Sequence, residues 1–552
     1  MGRADWLAAA CLVAVVLVAH AGALDDGLFF DDHWHRRNLR TYGWSFRDLT
    51  ESATFDLPGR LNHLWWQTQP LQWRYARPAA MLVMKLEYLL AGGNAAVMHA
   101  FGLLWHILAT LLVFALARRF VADRFAALLA AVLFAAQPHS VFTVSWSAAR
   151  NALLGGLLTL AAFWAYARGS APLEAPAATD SMNAPHASDR PWRLIAIALW
   201  LLALFTRESA IVFPLLALLF DFSVGGARLL RSRPRVYGLL AFVGGTYLYW
   251  RLAIFPTSRP PEIYYTVPAG PQYLLWAAAK LLHLLFALVF QTPMLVGLAT
   301  YEGVHARHAA AYAFMALLLG LVTAWYLRAS RGLPTRWLWP AWVVLAFLPV
   351  VPVFTMPHFA YLPAAGLSVM LAVMMARLRG RWRPMVATLI LLATLWSFGI
   401  YRCLWRGIVR SEQVIVADLV AQMPPPPPGA KLLFINLPVA GIYAPVALRE
   451  AWGREDLEGH VLTFAAHPLV ADHPCRIDQI NEHELEISTN SPGWFSGQAG
   501  RMLLDGTRPA TPLTPGAVVR GELFDATVVE SDARGVTRLR FTFRELLASH
   551  RL

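Results

Sequence analysis

Cysteine is scarce, with only Cys11, Cys403 and Cys475 in 552 residues. Three cysteines build no disulfide framework, and no Cys/His spacing matches a structural zinc site. Lysine is nearly missing too: apart from Lys85, Lys280 and Lys431, all 47 basic side chains are arginine. Charge of either sign is thin. Charged residues make up 15% of the chain, where a soluble domain carries about 25%. That shortage excludes an ordinary soluble globular protein. Apolar residues fill the place, at 57% of the chain with a mean hydropathy of +0.46. Runs of about 20 apolar residues, the length a hydrocarbon core demands, recur as far as Ile400. The chain reads as a polytopic α-helical membrane protein whose surroundings are the lipid bilayer.

A net charge of +13 does not make nucleic acid a partner. The arginines cluster in short connections between apolar runs, as the positive-inside rule expects, and not on one soluble face. Spans are predicted at 6–24, 95–117, 125–143, 151–167, 193–206, 208–222, 236–255, 309–327, 337–355, 358–376 and 384–401, about 11 in all. Basic connections include Arg118-Arg119 with Arg124, Arg190 with Arg193, Arg228 to Arg235, Arg328 to Arg336, and Arg377 to Arg383. Placing all five in the cytoplasm puts the N-terminus inside, residues 25–94 outside and the chain beyond 401 outside.

Three stretches complicate this topology. Ala21-Gly22-Ala23 can pass for a signal-peptidase site, but Arg3 is offset by Asp5 and the run is long enough to span, so the first helix is expected to be retained. Residues 273–292 are apolar, yet a span there would invert every later basic loop. Trp276, Lys280 and His283 fall at helical spacing within it, so it is expected to be re-entrant or to lie at the interface. Arg402, Arg406 and Arg410 stand against the charge rule just after the last span.

Residues 1–410 thus form the membrane domain, with outer loops at 25–94 and 256–308. In the first loop, Leu64-Trp65-Trp66 and the segment from Arg77 to Leu90 read as interfacial amphipathic pieces. The Ala/Pro/Ser-rich stretch 169–191 is expected to be disordered. A linker at 411–428 ends in five prolines, Pro424 to Pro428. Beyond it, 429–552 is expected to be a small β-rich (α+β) domain on the far side of the membrane. Strands are predicted at 431–436, 483–488 and 537–543, with a short helix at 445–452. It contains no periodic repeat.

Polar residues at the span ends converge on one membrane face. Asp31, Asp32, His33 and His35 follow the first span, and His139, Trp146, Arg150 and Asn151 lie between the third and fourth. Arg207 and Glu208 make the next outer turn, Arg251 ends the seventh span, and His358 with Tyr361 opens a late one. Each has a plainer alternative. Asp31 and Asp32 can cap a helix. Arg150 and Arg251 can anchor at the interface, and Arg207-Glu208 can be a structural ion pair. His33 and His35 beside the acids leave a divalent cation open. The convergence favours chemistry. A donor held in lipid through a phosphate needs cations at that depth, and arginine grips phosphate with two prongs. A hydroxyl acceptor arriving from water needs a base, which an Asp supplies.

Phe30-Asp31-Asp32 resembles the first-loop acidic motif of GT-C glycosyltransferases, which use polyprenyl-phosphate sugars. Closer similarity is to the membrane part of the O-mannosyltransferases that carry transmembrane and tetratricopeptide-repeat regions. Further matches are Arg77-Pro78, Gln137-Pro138-His139, Trp146-Ser147-Ala148-Ala149-Arg150-Asn151, Thr206-Arg207-Glu208-Ser209 and Phe359-Ala360-Tyr361-Leu362-Pro363-Ala364-Ala365-Gly366. They run in order over about residues 1–410. The resemblance implies a GT-C-like fold and an inverting sugar transfer, with Asp31 as base and Asp32 in support. It also implies a carrier phosphate near Arg150, Arg207 or Arg251. Three departures stand out: Phe30 replaces a usual tyrosine, His358 replaces a usual Glu-Arg pair, and the repeats are replaced by the β-rich domain.

The expected function is transfer of a sugar from a polyprenyl-phosphate carrier to a hydroxyl of an envelope glycan, lipid A or a protein, at the periplasmic face of a bacterial inner membrane. The arginine bias of a GC-rich genome suits a bacterium. The rival classes are a transporter or flippase of lipid-linked glycans and a non-enzymatic assembly protein. A transporter would place its polar groups near the bilayer midplane and show internal repeats, and neither is seen.

Overall fold

In a computed structural model, the described residues are 2–57, 62–68, 71–169, 189–256, 270–294, 308–353, 355–438, 441–465, 473–496, 512–533 and 535–548, with isolated positions 500, 504, 507 and 508. Most of 169–191 and of the loop 256–308 lies outside them. Among the described residues, eight helices are long and apolar enough to cross a membrane: Arg3–Asp25, Ala95–Phe120, Ser147–Arg168, Glu208–Ser232, Gln272–Phe290, Ala309–Ala329, Pro357–Arg377 and Trp382–Gln422. The stretch expected to be re-entrant or interfacial is thus a 19-residue helix that meets the length and hydropathy of a span. Shorter apolar helices run over Arg124–Ala135, Pro191–Leu204 and Leu338–Val350.

Local chemistry explains the boundaries. Asn94 caps the 26-residue helix Ala95–Phe120 by accepting from the Val97 N–H, and Arg118-Arg119 suit its negative C-terminal end. The run expected to be one span at 125–143 is instead broken. Pro138 offers no N–H and clashes with a preceding turn, so Arg124–Ala135 ends and Ser140–Ser145 restarts behind it. The Gln137 side chain accepts from the Ser140 N–H to cap that restart. Pro349 and Pro352 likewise shorten the span expected at 337–355 to a helix ending at Phe347 and one 3₁₀ turn. Gly366 lets its helix close on Trp342, because a Cβ there would collide with the indole.

The last helix, Trp382–Gln422, has 41 residues and so about 60 Å of length, twice a hydrocarbon core. Helix therefore occupies most of the segment expected to be a linker at 411–428, and it carries Glu412 well beyond the expected span end. Arg402 is held in an ion pair with Asp26, whose other contacts include the Trp405 indole N–H at 2.9 Å. This ion pair ties the end of the first helix to the last one.

Strands β1 (Thr54–Leu57), β2 (Asn62–Leu64) and β3 (Leu71–Arg74) come from the first long loop. The C-terminal part supplies β4 (Lys431–Phe434), β5 (Glu458–Val461), β6 (Arg476–Gln479), β7 (Glu484–Ser488), β8 (Val518–Arg520), β9 (Phe524–Asp532) and β10 (Gly535–Phe543). Three strands and the short helix fall where the sequence predicts them. β6 to β10 form one antiparallel sheet in the order β6-β7-β10-β9-β8. β2 lies parallel to β5 and completes the sheet β2-β5-β4, so the first loop is built into the C-terminal domain. Leu64-Trp65-Trp66, expected at the headgroup layer, is consequently core. Trp66 is fully buried against Phe464 and Phe495, and the Trp65 indole donates to the Leu462 carbonyl at 2.8 Å.

Candidate active site

The helix Asp31–Thr41 begins abruptly. Phe30, just before it, has φ 53° and ψ −116°, a left-handed conformation that costs a bulky residue about 1–3 kcal/mol. Three hydrogen bonds hold the turn. The Phe30 N–H donates to Glu412 Oε2 at 2.7 Å, and the Phe29 N–H to Asp32 Oδ2 at 3.1 Å. Asp32 Oδ1 accepts from the Ala148 N–H at 2.6 Å. Both Asp32 oxygens are thereby committed to backbone. Asp31 is placed differently: it accepts from the Tyr443 hydroxyl of the C-terminal domain, whose ring packs edge-on against Phe30 at 4.9 Å.

These acids sit among other acids. Burial, then the Asp32 charge and that of Glu412, push Asp31 up to about 8 against the help of Tyr443. Burial pushes Asp32 up to about 7, opposed by its two N–H donors and by His33. Two neighbouring carboxyls in a dry site share a proton, and the backbone donors favour ionised Asp32, which leaves the proton to Asp31. Around them, His33 lies 4.0 Å from Glu412 and 3.5 Å from Glu450, and Glu450 also pairs with Arg36 at 3.2 Å. His35 is buried and kept neutral, down to about 3, by burial and by the charge of Arg77. Its ring meets Phe55 edge-on. Neither histidine gathers with the acid pair as a metal-ligating set among the described residues; the set that does so is His63, Glu458 and His460, in the β2-β5-β4 sheet.

The acids connect to the arginines through one bonded path. Asn151 Nδ2 donates to the Ala148 carbonyl at 2.7 Å, while the Ala148 N–H holds Asp32. Asn151 Oδ1 in turn accepts from Arg207. Arg77 pairs with Glu208 through Nε at 3.1 Å and Nη2 at 2.9 Å, and Arg251 acts on the same carboxylate. Among the described residues, then, three guanidiniums share one carboxylate, an excess of two positive charges. Arg207 has the neutral Asn151 and the Phe359 ring at 5.3 Å, and it lines a small crevice with Ser209, Gly156, His358, Phe359 and Tyr361. A second small crevice lies between His35, Tyr75, Arg77 and Asn151.

Other expected site residues have structural tasks. Arg150 is almost fully buried, pairs with Glu87 at 2.9 Å and donates to the Met98 carbonyl at 2.6 Å, so its charge is already neutralised. Gly102 leaves the room for it. Arg251 binds the carbonyls of Phe255 at 2.7 Å and Arg74 at 2.9 Å. The Tyr361 hydroxyl bonds His106 Nδ1 at 2.8 Å, His139 Nε2 reaches the Thr292 carbonyl at 3.2 Å, and His358 packs on Phe359 with a buried, unpartnered Nδ1. Glu412, Tyr443 and Glu450 were not picked out in sequence. No local pattern marks them, since each meets the first loop from far along the chain.

Fold and site define a multi-pass helical membrane protein with an acid pair and an arginine cluster at one end of its bundle. No family model matches the chain, and neither does any curated protein. Its course resembles that of ArnT from Cupriavidus metallidurans bound to undecaprenyl phosphate, at 14% identity over 81% of this chain and 85% of that one, with a TM-score of 0.48. It is similar as well to the Archaeoglobus fulgidus oligosaccharyltransferase tethered with an acceptor peptide containing the NVT sequon. There the identity is 14%, the cover 82% of this chain and 64% of that one, and the TM-score 0.43.

Proposed function

We propose that this chain is a GT-C-type glycosyltransferase that moves a sugar from a polyprenyl-phosphate carrier to a hydroxyl acceptor at the periplasmic face of a bacterial inner membrane. The observation that carries the proposal is the path from Asp32 through Ala148 and Asn151 to Arg207, which ties the acids to a cluster with two uncompensated positive charges. Arg207 and His358, which line one crevice, receive the carrier phosphate. Arg77 and Arg251 add field, while Arg150 serves the fold through Glu87.

Asp31, in its ionised form, takes the proton of the acceptor hydroxyl as the hydroxyl oxygen bonds to the anomeric carbon. The bond from that carbon to the phosphate oxygen breaks on the opposite face, which inverts the centre. The carrier phosphate leaves with its charge met by guanidinium. Asp32 keeps the turn in place through its two backbone contacts. Complementation of a deletion strain tests this, with wild type and Asp31→Asn at matched membrane levels. Mass spectrometry of lipid A, surface glycan and envelope proteins should find one sugar-sized mass restored by wild type and absent with Asp31→Asn. Equal restoration by the variant would remove Asp31 as base and favour a transport or assembly role.

A further inference from the structure

The sheet β2-β5-β4 carries a second constellation that the transfer chemistry does not use. β2 and β5 run parallel with His63 directly opposite His460, and Glu458 lies two residues before His460 on the same face. The two imidazoles stack at 4.4 Å between ring centres, inclined by only 14°. Glu458 Oε2 stands 4.0 Å from His63 Nε2 and 3.9 Å from His460 Nε2. Those distances exceed hydrogen bonds, and both Nε2 atoms are buried without a hydrogen-bond partner among the described residues. His460 is itself only 8% exposed. An orphaned buried polar atom costs about 1–3 kcal/mol, and here two of them face one carboxylate.

We infer that His63, Glu458 and His460 bind a divalent transition ion, zinc being the best match, which clasps the first loop to the C-terminal domain. The donor set of two imidazoles and one carboxylate is one that zinc accepts. The three ligand atoms lie within 4.8 Å of one another. An ion at the centre of such a triangle is about 2.5 Å from each corner, so zinc distances of about 2.0–2.1 Å need a contraction of about 0.5 Å and a turn of one stacked imidazole that brings both in-plane lone pairs onto the ion. His63 remains partly exposed, which gives an entry path and leaves a fourth position for water.

Lys431 is the competitor. It lies opposite Glu458 on β4 and its ammonium pairs with that carboxylate. Its side chain is 29% exposed and can swing into solvent when an ion takes its place. The clasp matters because the loop bearing His63 also bears Asp31, while the domain bearing His460 bears Tyr443.

Full-length protein purified in detergent and stripped with a chelator should take up one zinc per chain in equilibrium dialysis. Co2+ in its place should give the visible absorption of a four-coordinate, nitrogen-ligated ion. His63→Gln and His460→Gln should each lower zinc affinity at least tenfold at an unchanged elution profile, and Lys431→Ala should raise it. A wild type that binds no zinc, or binding that survives both histidine variants, overturns the clasp and leaves a lysine–glutamate pair flanked by neutral histidines. If the variants misfold, the Co2+ spectrum of wild type decides alone: absorption lacking nitrogen ligation overturns it. Because metal content is read without any sugar transfer, this outcome is independent of the glycosyltransferase proposal.

Discussion

Replacing Tyr443 by Phe isolates one hydrogen bond to the proposed base. The ring that packs on Phe30 stays, and only the hydroxyl donated to Asp31 is lost. That hydroxyl favours the ionised carboxylate and so lowers its pKa; removal must raise it. A hydrogen bond to a charged acceptor contributes about 1.5–3 kcal/mol, and 1.36 kcal/mol corresponds to one pKa unit. At the low end of that range the expected rise is about one unit. Asp31 already stands near 8, and a base works only when ionised. The acid limb of the pH–rate profile should therefore move from about pH 8 to about pH 9. Transfer at pH 7 should fall about tenfold, while transfer above both limbs should differ by less than about threefold. Proteoliposomes with the acceptor identified by complementation give the profile. A loss equal at all pH values, or an acid limb that does not move, would refute the assignment of the limb to Asp31 and of Tyr443 as its donor.

Two further perturbations separate the arginines. Arg207→Ala should raise the KM for the polyprenyl-phosphate donor about tenfold or more, with thermal unfolding in detergent nearly unchanged, since its partner is the neutral Asn151. An unaltered KM would move the phosphate elsewhere. Glu87→Ala should instead lower stability by about 3–5 kcal/mol, because it leaves the buried Arg150 charge unpaired, and the melting temperature should drop while the donor KM of the surviving protein holds. A fully stable Glu87→Ala protein would show that Arg150 finds another counter-charge.

Part of the candidate site was legible because its marks are local. Asp31 and Asp32 stand out as acids where an apolar run meets water, and Arg207-Glu208 as charge in a tight turn; the structure joins Asp32 to Arg207 through Ala148 and Asn151. Local marks also misled. Arg150 has the same signature as Arg207 in a sequence, a cation at the end of an apolar run, yet Glu87 lies 63 residues earlier and neutralises it. Trp65 and Trp66 read as interfacial because tryptophan favours headgroups, but the same side chains serve as core once a sheet surrounds them.

Hydropathy and spacing alone determined the class of the chain, most of its helices and three strands of its last domain. These follow from energies that each residue meets in its own neighbourhood: burial in hydrocarbon and an alternating face. Only the tertiary structure decided the rest. The Phe30 turn depends on Glu412, 382 residues away in sequence, and Asp31 depends on Tyr443 in another part of the chain. β2 exists as a strand because β5 offers it an edge. Such contacts are set by which surfaces the packed helices bring together, and no periodicity in the sequence encodes a meeting at that distance.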